Sequence, residues 1–420
     1  ILFAFKYLNF FITNINAIIG IFSKTASIAT LNIILPLGIS FYIFQTVGYV
    51  ADVYFGKYEA EKNPFRLALF VSFFPQLIQG PIGRYDLMAP TLYARHEFDP
   101  RAVSSGVERM LFGYFKKIVV ADRIAPAVAA ICGAPDKYRG AVVAVGMLFY
   151  AIQLWCDFTG GIDITIGIAE TLGISLSENF NRPFFSKNIA EYWRRWHITL
   201  GTWFRDYTFY PLSTSKGMMK LTKATKKHFG SGAAKRVPVY LASAILWFAT
   251  GAWHGAKWNF IVWGLLNCAV ILISQELSPL YRKFAAKFPK LRASRFWDGV
   301  QVIRTNILMS FLRTFDCYAT VGLAFSAMGS VFLKPGLGAL TDGTLMNLGL
   351  TAYDYAVIAV SVILLFTVSM IQRSGSVREK MRKLPSPVRV GLFVLLFFVI
   401  IVFGAYGPGY NSGDFIYGQF

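Results

Sequence analysis

The chain has 420 residues, of which 55% are hydrophobic, 16% aromatic and only 15% charged, and its formal net charge is +20. Soluble domains carry roughly 25% charged residues, so this composition, with a mean hydropathy of +0.48, points to lipid as the solvent. Too little polar surface remains for a soluble nucleic-acid binder, and the disordered, collagenous and secreted disulfide-rich classes are excluded as well.

The first apolar stretch has no clear basic leader and no A-x-A-like cleavage site, and the chain opens at Ile1, which reads as a truncated start and not as a signal peptide. Uncharged runs approaching the roughly 20 residues of a membrane span cover residues 25–51, 67–83, 141–155, 237–253, 259–274, 318–333, 355–371 and 390–406. Weaker stretches are 8–22, 107–120 and 160–176. The pattern predicts an all-α, polytopic membrane protein with about nine to eleven spans or half-spans, the short ones re-entrant. No soluble domain fits between them, so residues 1–420 are expected to form a single membrane-embedded domain in the cell membrane. Cys132, Cys156, Cys268 and Cys317 stand far apart in sequence beside apolar stretches and read as small buried residues, with neither a disulfide framework nor a zinc site expected.

Lys and Arg concentrate in three segments, read as loops. Residues 216–236 hold seven basic residues and no acid, 282–295 hold six, and 373–389 hold six against one Glu. The positive-inside rule places all three on the cytoplasmic face. The chain between the first two must then cross and return, making a hairpin of 237–253 and 259–274 with its apex at Trp253-His254-Gly255-Ala256-Lys257-Trp258. An arm of about 16 residues rises about 24 Å, short of a roughly 30 Å hydrocarbon core. The apex is therefore expected at membrane depth, in a protein-lined cavity.

Of the four histidines, His96 and His228 lie in polar segments and read as solvated. His197 and His254 each follow a Trp, within a region from Trp193 to Trp263 that holds seven of the nine tryptophans. An interfacial aromatic belt with hydrogen-bonded histidines would account for this pattern. Against it stands the cost of an ionisable group inside a membrane protein, which favours a pathway or a site. Were 192–207 one helix, Trp193 and His197 would share a face at i, i+4, as would Trp196 and Trp203 at i, i+7. Two histidines from different segments would then meet one cavity. Neutral imidazole there suits proton abstraction from a hydroxyl that attacks an activated acyl carbon. The sequence contains no GxSxG elbow, phosphate loop, HExxH or H-x₄-D signature. Asp157 and Asp163 are open between pairing with Arg, holding a cation and structural hydrogen bonding. The Gly-rich stretch from Gly407 to Gly413 reads as a turn-rich tail.

Several ordered motifs carry a resemblance. They are Leu35-Pro36-Leu37-Gly38-Ile39-Ser40-Phe41-Tyr42, Phe73-Phe74-Pro75-Gln76-Leu77-Ile78-Gln79-Gly80-Pro81, Glu178-Asn179-Phe180-Asn181, Tyr192-Trp193-Arg194-Arg195-Trp196-His197 and Trp253-His254-Gly255. Together they resemble the bacterial membrane-bound O-acyltransferases, in the branch of alginate O-acetylase and the teichoic-acid D-alanylation acyltransferase, from about Lys6 to the final Phe415-Ile416-Tyr417-Gly418-Gln419-Phe420. The resemblance implies a helical bundle with re-entrant segments around a central cavity. It implies acyl transfer from a cytoplasmic thioester to a hydroxyl on the outer side, with His254 matching the essential histidine and His197 the second motif histidine. Trp196, Arg205, Asp206, Trp253 and Asn181 would line the site, although Arg205 and Asp206 could equally brace the helix by ion pairing. No bound cofactor or metal is implied.

The implied donor is acetyl-CoA, with an acyl carrier protein as the alternative, and the implied partners are membrane lipid, a polysaccharide acceptor and an outer SGNH-hydrolase-like protein. D-alanyl transfer from a carrier protein, a glycan or lipid transporter, and a membrane scaffold for an outer enzyme are the competing readings. The family has further apolar segments before Leu8, so the chain is expected to be trimmed at its N-terminus. Residues 309–320 also depart from the family's aromatic-rich pattern, which is expected to leave the histidine motifs untouched.

Overall fold

The computed structural model describes residues 2–23, 26–33 and 36–406. Leu35, where the first family motif begins, the turn-rich tail and the terminal motif from Phe415 lie outside the described residues. Among those described, the structure is helical, with one isolated antiparallel bridge between Phe180 and Trp196. Among the described residues, five helices are long and apolar enough to cross a membrane: Phe3–Phe22, Ala141–Thr171, Trp258–Glu276, Ala352–Ser374 and Ser386–Phe403.

Ala141–Thr171 is the central element. Its 31 residues extend about 46 Å and join two stretches, 141–155 and 160–176, that read as separate spans in sequence. Nothing interrupts it, because Asp157 and Asp163 are both ion-paired. The helix Pro100–Tyr114 lies against it through facing glycines: a Cβ at Gly106 would overlap the Gly167 carbonyl, and one at Gly113 the Gly160 carbonyl. Such small-residue contacts bring two backbones together where lipid supplies no hydrophobic drive. Charges seal the same seam. Arg109 pairs with Asp163 at 2.9 Å and Glu178 at 2.6 Å, Lys116 with Asp163 at 2.5 Å, and Lys117 with Asp157 at 2.7 Å and Asp122 at 2.9 Å. Pairing with cations is therefore what the two aspartates do here.

The run 67–83 is not a span. It forms the helix Pro64–Val71, capped by the Asn63 side chain, and a single turn Phe74–Gln76 before irregular backbone. Pro75 and Pro81 lack the N–H that a continuing helix needs. This buried irregular backbone is satisfied from the central helix, where the Thr165 hydroxyl reaches the carbonyls of Pro75 at 3.0 Å and Gln79 at 2.7 Å. Residues 25–51 also divide, with helix only from Ile39–Tyr54. Gly38 precedes it at φ 74°, where a Cβ would lie 2.7 Å from the Leu77 carbonyl oxygen, so two family motifs meet at a point only glycine can occupy.

The three basic segments read as loops are mainly helical. Residues 216–229 begin the helix Lys216–His254, bent at Gly230 (φ 82°); 282–295 lie largely in Ser278–Lys287 and Pro289–Arg292; 373–389 include Val377–Arg382. Lys and Arg are good helix formers, and charge alone marks exposure and not irregularity. The second and third of these segments approach one another at Asp298. Arg236 pairs with Glu276 at 3.0 Å, and Lys187 at 2.7 Å holds the Asp298 carboxyl below the usual carboxylate range, with Arg292 and Arg373 adding to the effect.

The predicted hairpin is present. Lys216–His254 and Trp258–Glu276 pack along their length, and a Cβ at Gly251 or Gly264 would overlap the carbonyl of Phe260 or Trp247 across the seam.

Candidate active site

A cavity of about 540 Å³ opens between the hairpin, the central helix, the segment around His197 and the helix Arg295–Cys317. His197 and His254 both line it, as do Trp196 and Arg205.

His197 does not sit on a continuous helix. The helix Ile189–Arg195 stops at Trp196, which is extended (φ −109°, ψ 127°), and His197 follows at φ 48°, before Ile198–Phe204 begins. The expected i, i+4 and i, i+7 relations therefore do not exist, and the histidine is presented from a break. A left-handed non-glycine residue is strained and persists only where its surroundings hold it. The motif Glu178-Asn179-Phe180-Asn181 does so. The Ile198 amide donates to the Asn179 carbonyl at 2.9 Å and the Asn181 amide to the Arg195 carbonyl at 2.9 Å, while Phe180 packs edge-on to Trp196 and Phe158.

Asn179 is wholly buried, and its Oδ1 accepts from the Thr199 amide at 3.0 Å and the Thr199 hydroxyl at 2.9 Å. A backbone N–H can only donate, which fixes the orientation of that side-chain amide. Oδ1 also lies 3.2 Å from His197 Nδ1. Neutral His197 therefore carries its proton on Nδ1 and its lone pair on Nε2.

His254 is the last residue of its helix. The carbonyls of a helix C-terminus have no partners within the helix, and here the turn before the helix Leu8–Phe22 supplies them: Tyr7 hydroxyl donates to Ala252 O at 3.0 Å and Lys6 Nζ to Trp253 O at 2.5 Å. The imidazole packs edge-on to Trp263 with centroids 4.8 Å apart. Gly255 next to it leaves room for the Phe260 ring, into which a Cβ would project.

Trp253 does not line the cavity. It is buried against Phe44 and packs on both histidines, its ring 6.0 Å from His197 and 5.0 Å from His254. Asp206 also lies outside the wall, pairing with Arg84 at 2.8 Å and Arg205 at 2.8 Å, which is the bracing alternative. Asn181 is exposed and away from the cavity; the buried Asn179, two residues earlier, does the positioning. Its signal in sequence was membership of the same short motif. His96 and His228 are exposed, as expected.

Arg313 and Asp316 also line the cavity and were missed. Arg313 lies 3.8 Å over the Trp196 ring and donates to the Tyr192 hydroxyl. The departure from the family pattern at 309–320 thus faces the histidine site after all. A three-residue spacing of Arg and Asp in an apolar stretch, which puts both on one helix face, was the available signal.

Residues 61–319 match the family model of the membrane-bound O-acyltransferases. The chain is 37% identical over 274 residues to a probable alginate O-acetylase of Azotobacter vinelandii, covering 65% of this chain and 51% of that protein. It is 34% identical over 317 residues to a peptidoglycan O-acetyltransferase of Helicobacter pylori, covering 69% and 56%. To a teichoic acid D-alanyltransferase of Bacillus subtilis it is 28% identical over 292 residues, covering 67% and 68%. The chain spans about half the length of the O-acetylases it matches. With the family model covering the whole stretch that builds the histidine cavity, the chain belongs to the membrane-bound O-acyltransferase family.

Proposed function

We propose that this protein transfers an acyl group, acetyl in the first instance, from a thioester to a hydroxyl of a cell-surface or exported polysaccharide. The observation that carries the reading is the convergence of His254 and His197, from segments 57 residues apart in sequence, on one cavity in a chain of this family. The acceptor oxygen attacks the thioester carbonyl as its proton passes to His254. The carbon–sulfur bond then breaks, and the departing thiolate takes that proton. Such proton transfer contributes about 10² to 10⁴ in rate. His197, oriented by Asn179, holds a lone pair on Nε2 and accepts a hydrogen bond from a hydroxyl of the acceptor. Acetyl is favoured over D-alanyl because identity to the O-acetylases exceeds that to the D-alanyltransferase.

The basic segments face the cytoplasm in this reading, by the positive-inside rule. The donor, acetyl-CoA or an acylated carrier protein, is acidic and is steered to that face. An outer SGNH-hydrolase-like protein completes delivery to the polymer. The test is transfer from radiolabelled acetyl-CoA by purified protein. His254→Ala should abolish transfer while the variant elutes as a monodisperse species and unfolds at the native temperature. Native-rate transfer by that variant would refute the assignment, and movement of a glycan without acyl transfer would favour a transporter.

A further inference from the structure

Five Lys and Arg side chains are buried among the described residues: Arg109, Lys116, Lys117, Arg123 and Arg313. Four are ion-paired, to Asp163 and Glu178, Asp163, Asp122 and Asp157, and Asp354 respectively. Arg313, 3% exposed, makes no salt bridge among those residues, Asp316 being its nearby but non-contacting acid, and its Nη1 makes no hydrogen bond there. A buried cation without a contacting carboxylate is costly. It is tolerated where negative charge arrives or develops during function.

Arg313 is also held still. Its guanidinium stacks 3.8 Å over Trp196, the residue before His197, and donates to the hydroxyl of Tyr192, whose ring is itself stacked on Trp196 at 15°. It lines the same cavity as both histidines. Asp316, three residues on, shares that wall. A permanent anion on a substrate would face the Asp316 carboxylate, whereas an acyl group is neutral until it reacts.

We propose that Arg313 is a catalytic residue that donates to the acyl carbonyl oxygen as it becomes an oxyanion; this rests on the acyl-transfer reading above. As the acceptor oxygen bonds to the carbonyl carbon and its proton passes to His254, the carbonyl π pair moves onto oxygen and meets the guanidinium. Re-forming the C=O bond expels the thiolate, which takes the proton from His254. A donor fixed before the reaction stabilises that charge without reorganising.

The test compares Arg313→Gln, Arg313→Lys and Tyr192→Phe with the full chain in detergent. Two rates are read for each: transfer of radiolabel from acetyl-CoA, or from acetylated carrier protein, to polysaccharide in native membranes, and slow hydrolysis of the same thioester with water as acceptor. Both reactions pass through the same oxyanion. Arg313→Gln should lower both kcat values about 10² to 10³-fold, with KM for the thioester within about twofold. Arg313→Lys should recover part of the loss, and Tyr192→Phe, which keeps the cation and its stacking, should lose less than Arg313→Gln in both reactions.

Should Arg313→Gln fail to fold, equal loss in both reactions by Arg313→Lys supports the assignment and native rates in that variant overturn it. Native hydrolysis with a raised acceptor KM would instead make Arg313 a subsite for an anionic acceptor and overturn it. His254→Ala, measured alongside, separates the two levels: if it is inactive while the Arg313 variants are native, only this inference falls, and if it is active, the acyl-transfer reading falls first.

Discussion

Replacing Gly251 with Ala adds a single methyl at the tightest point of the hairpin. A Cβ there would overlap the Phe260 carbonyl oxygen and lie 3.1 Å from its carbon and 3.2 Å from Ile261 Cα, where ordinary contact begins at 3.4 Å. These are backbone atoms, so no side chain can swing aside, and the helices must part by some tenths of an ångström. Overpacking of this kind costs about 1 to 3 kcal/mol. The better helix propensity of Ala offsets about 1 kcal/mol. The expected net loss is about 0 to 2 kcal/mol. It should appear as a fall of up to several degrees in unfolding temperature, read by tryptophan fluorescence in detergent.

Parting the helices would also shift His254 against Trp263, and misplacement by about 1 Å can cost 10²-fold in rate. Gly264→Ala strains the same seam, so the double variant should lose less than the sum. Gly299→Ala, at a helical site with nothing within 4 Å, is the control and should stabilise slightly. Gly251→Ala with native unfolding temperature and native activity would refute this description of the hairpin.

Lys117→Met leaves the Asp122 and Asp157 carboxylates without their shared cation and should destabilise by about 3 to 5 kcal/mol, measured by thermal unfolding; a loss under 1 kcal/mol on that ~3–5 scale would contradict the pairing. Asn179→Ala strands the buried Thr199 amide, at about 1 to 3 kcal/mol, and frees His197. The kcat for acyl transfer should fall at least tenfold with KM for the thioester nearly unchanged, and an unaltered kcat would deny Asn179 its positioning role. Lys6→Met removes a cation from the helix end that carries His254, an interaction worth up to about 2 kcal/mol. It should lower kcat, with partial recovery in Lys6→Arg, and equal activities in both variants would show that the clamp is dispensable.

Much of the site's location was legible in the chain, because it depends on local composition. The tryptophan density around His197 and His254 and the two basic segments enclosing an apolar pair led to the hairpin and its histidine apex. Asp157 and Asp163 stood out as acids beside an apolar run, but their partners Lys117, Lys116 and Arg109 come from a different helix, so pairing and cation binding looked alike. Basic segments were misread as loops, since Lys-rich helices and Lys-rich loops have the same composition. The break at Trp196-His197 escaped the periodic reading for a similar reason: nothing local forbids helix there, and the left-handed turn is enforced by Asn179 and the bridge from Phe180.

By itself, then, the sequence determined the solvent, the helical class, the hairpin and the two histidines, since each follows from hydropathy, charge or spacing within a few turns. Only the tertiary structure decided what surrounds those histidines. Asn179 orients one of them, Lys6 and Tyr7 hold the end of the helix that carries the other, and Trp253 packs on both. Arg313 arrives from a segment more than a hundred residues from His197. Contacts at such separation are set by how helices pack, through glycine seams and buried ion pairs, and that packing brings a buried guanidinium that makes no salt bridge to the wall it shares with the two histidines.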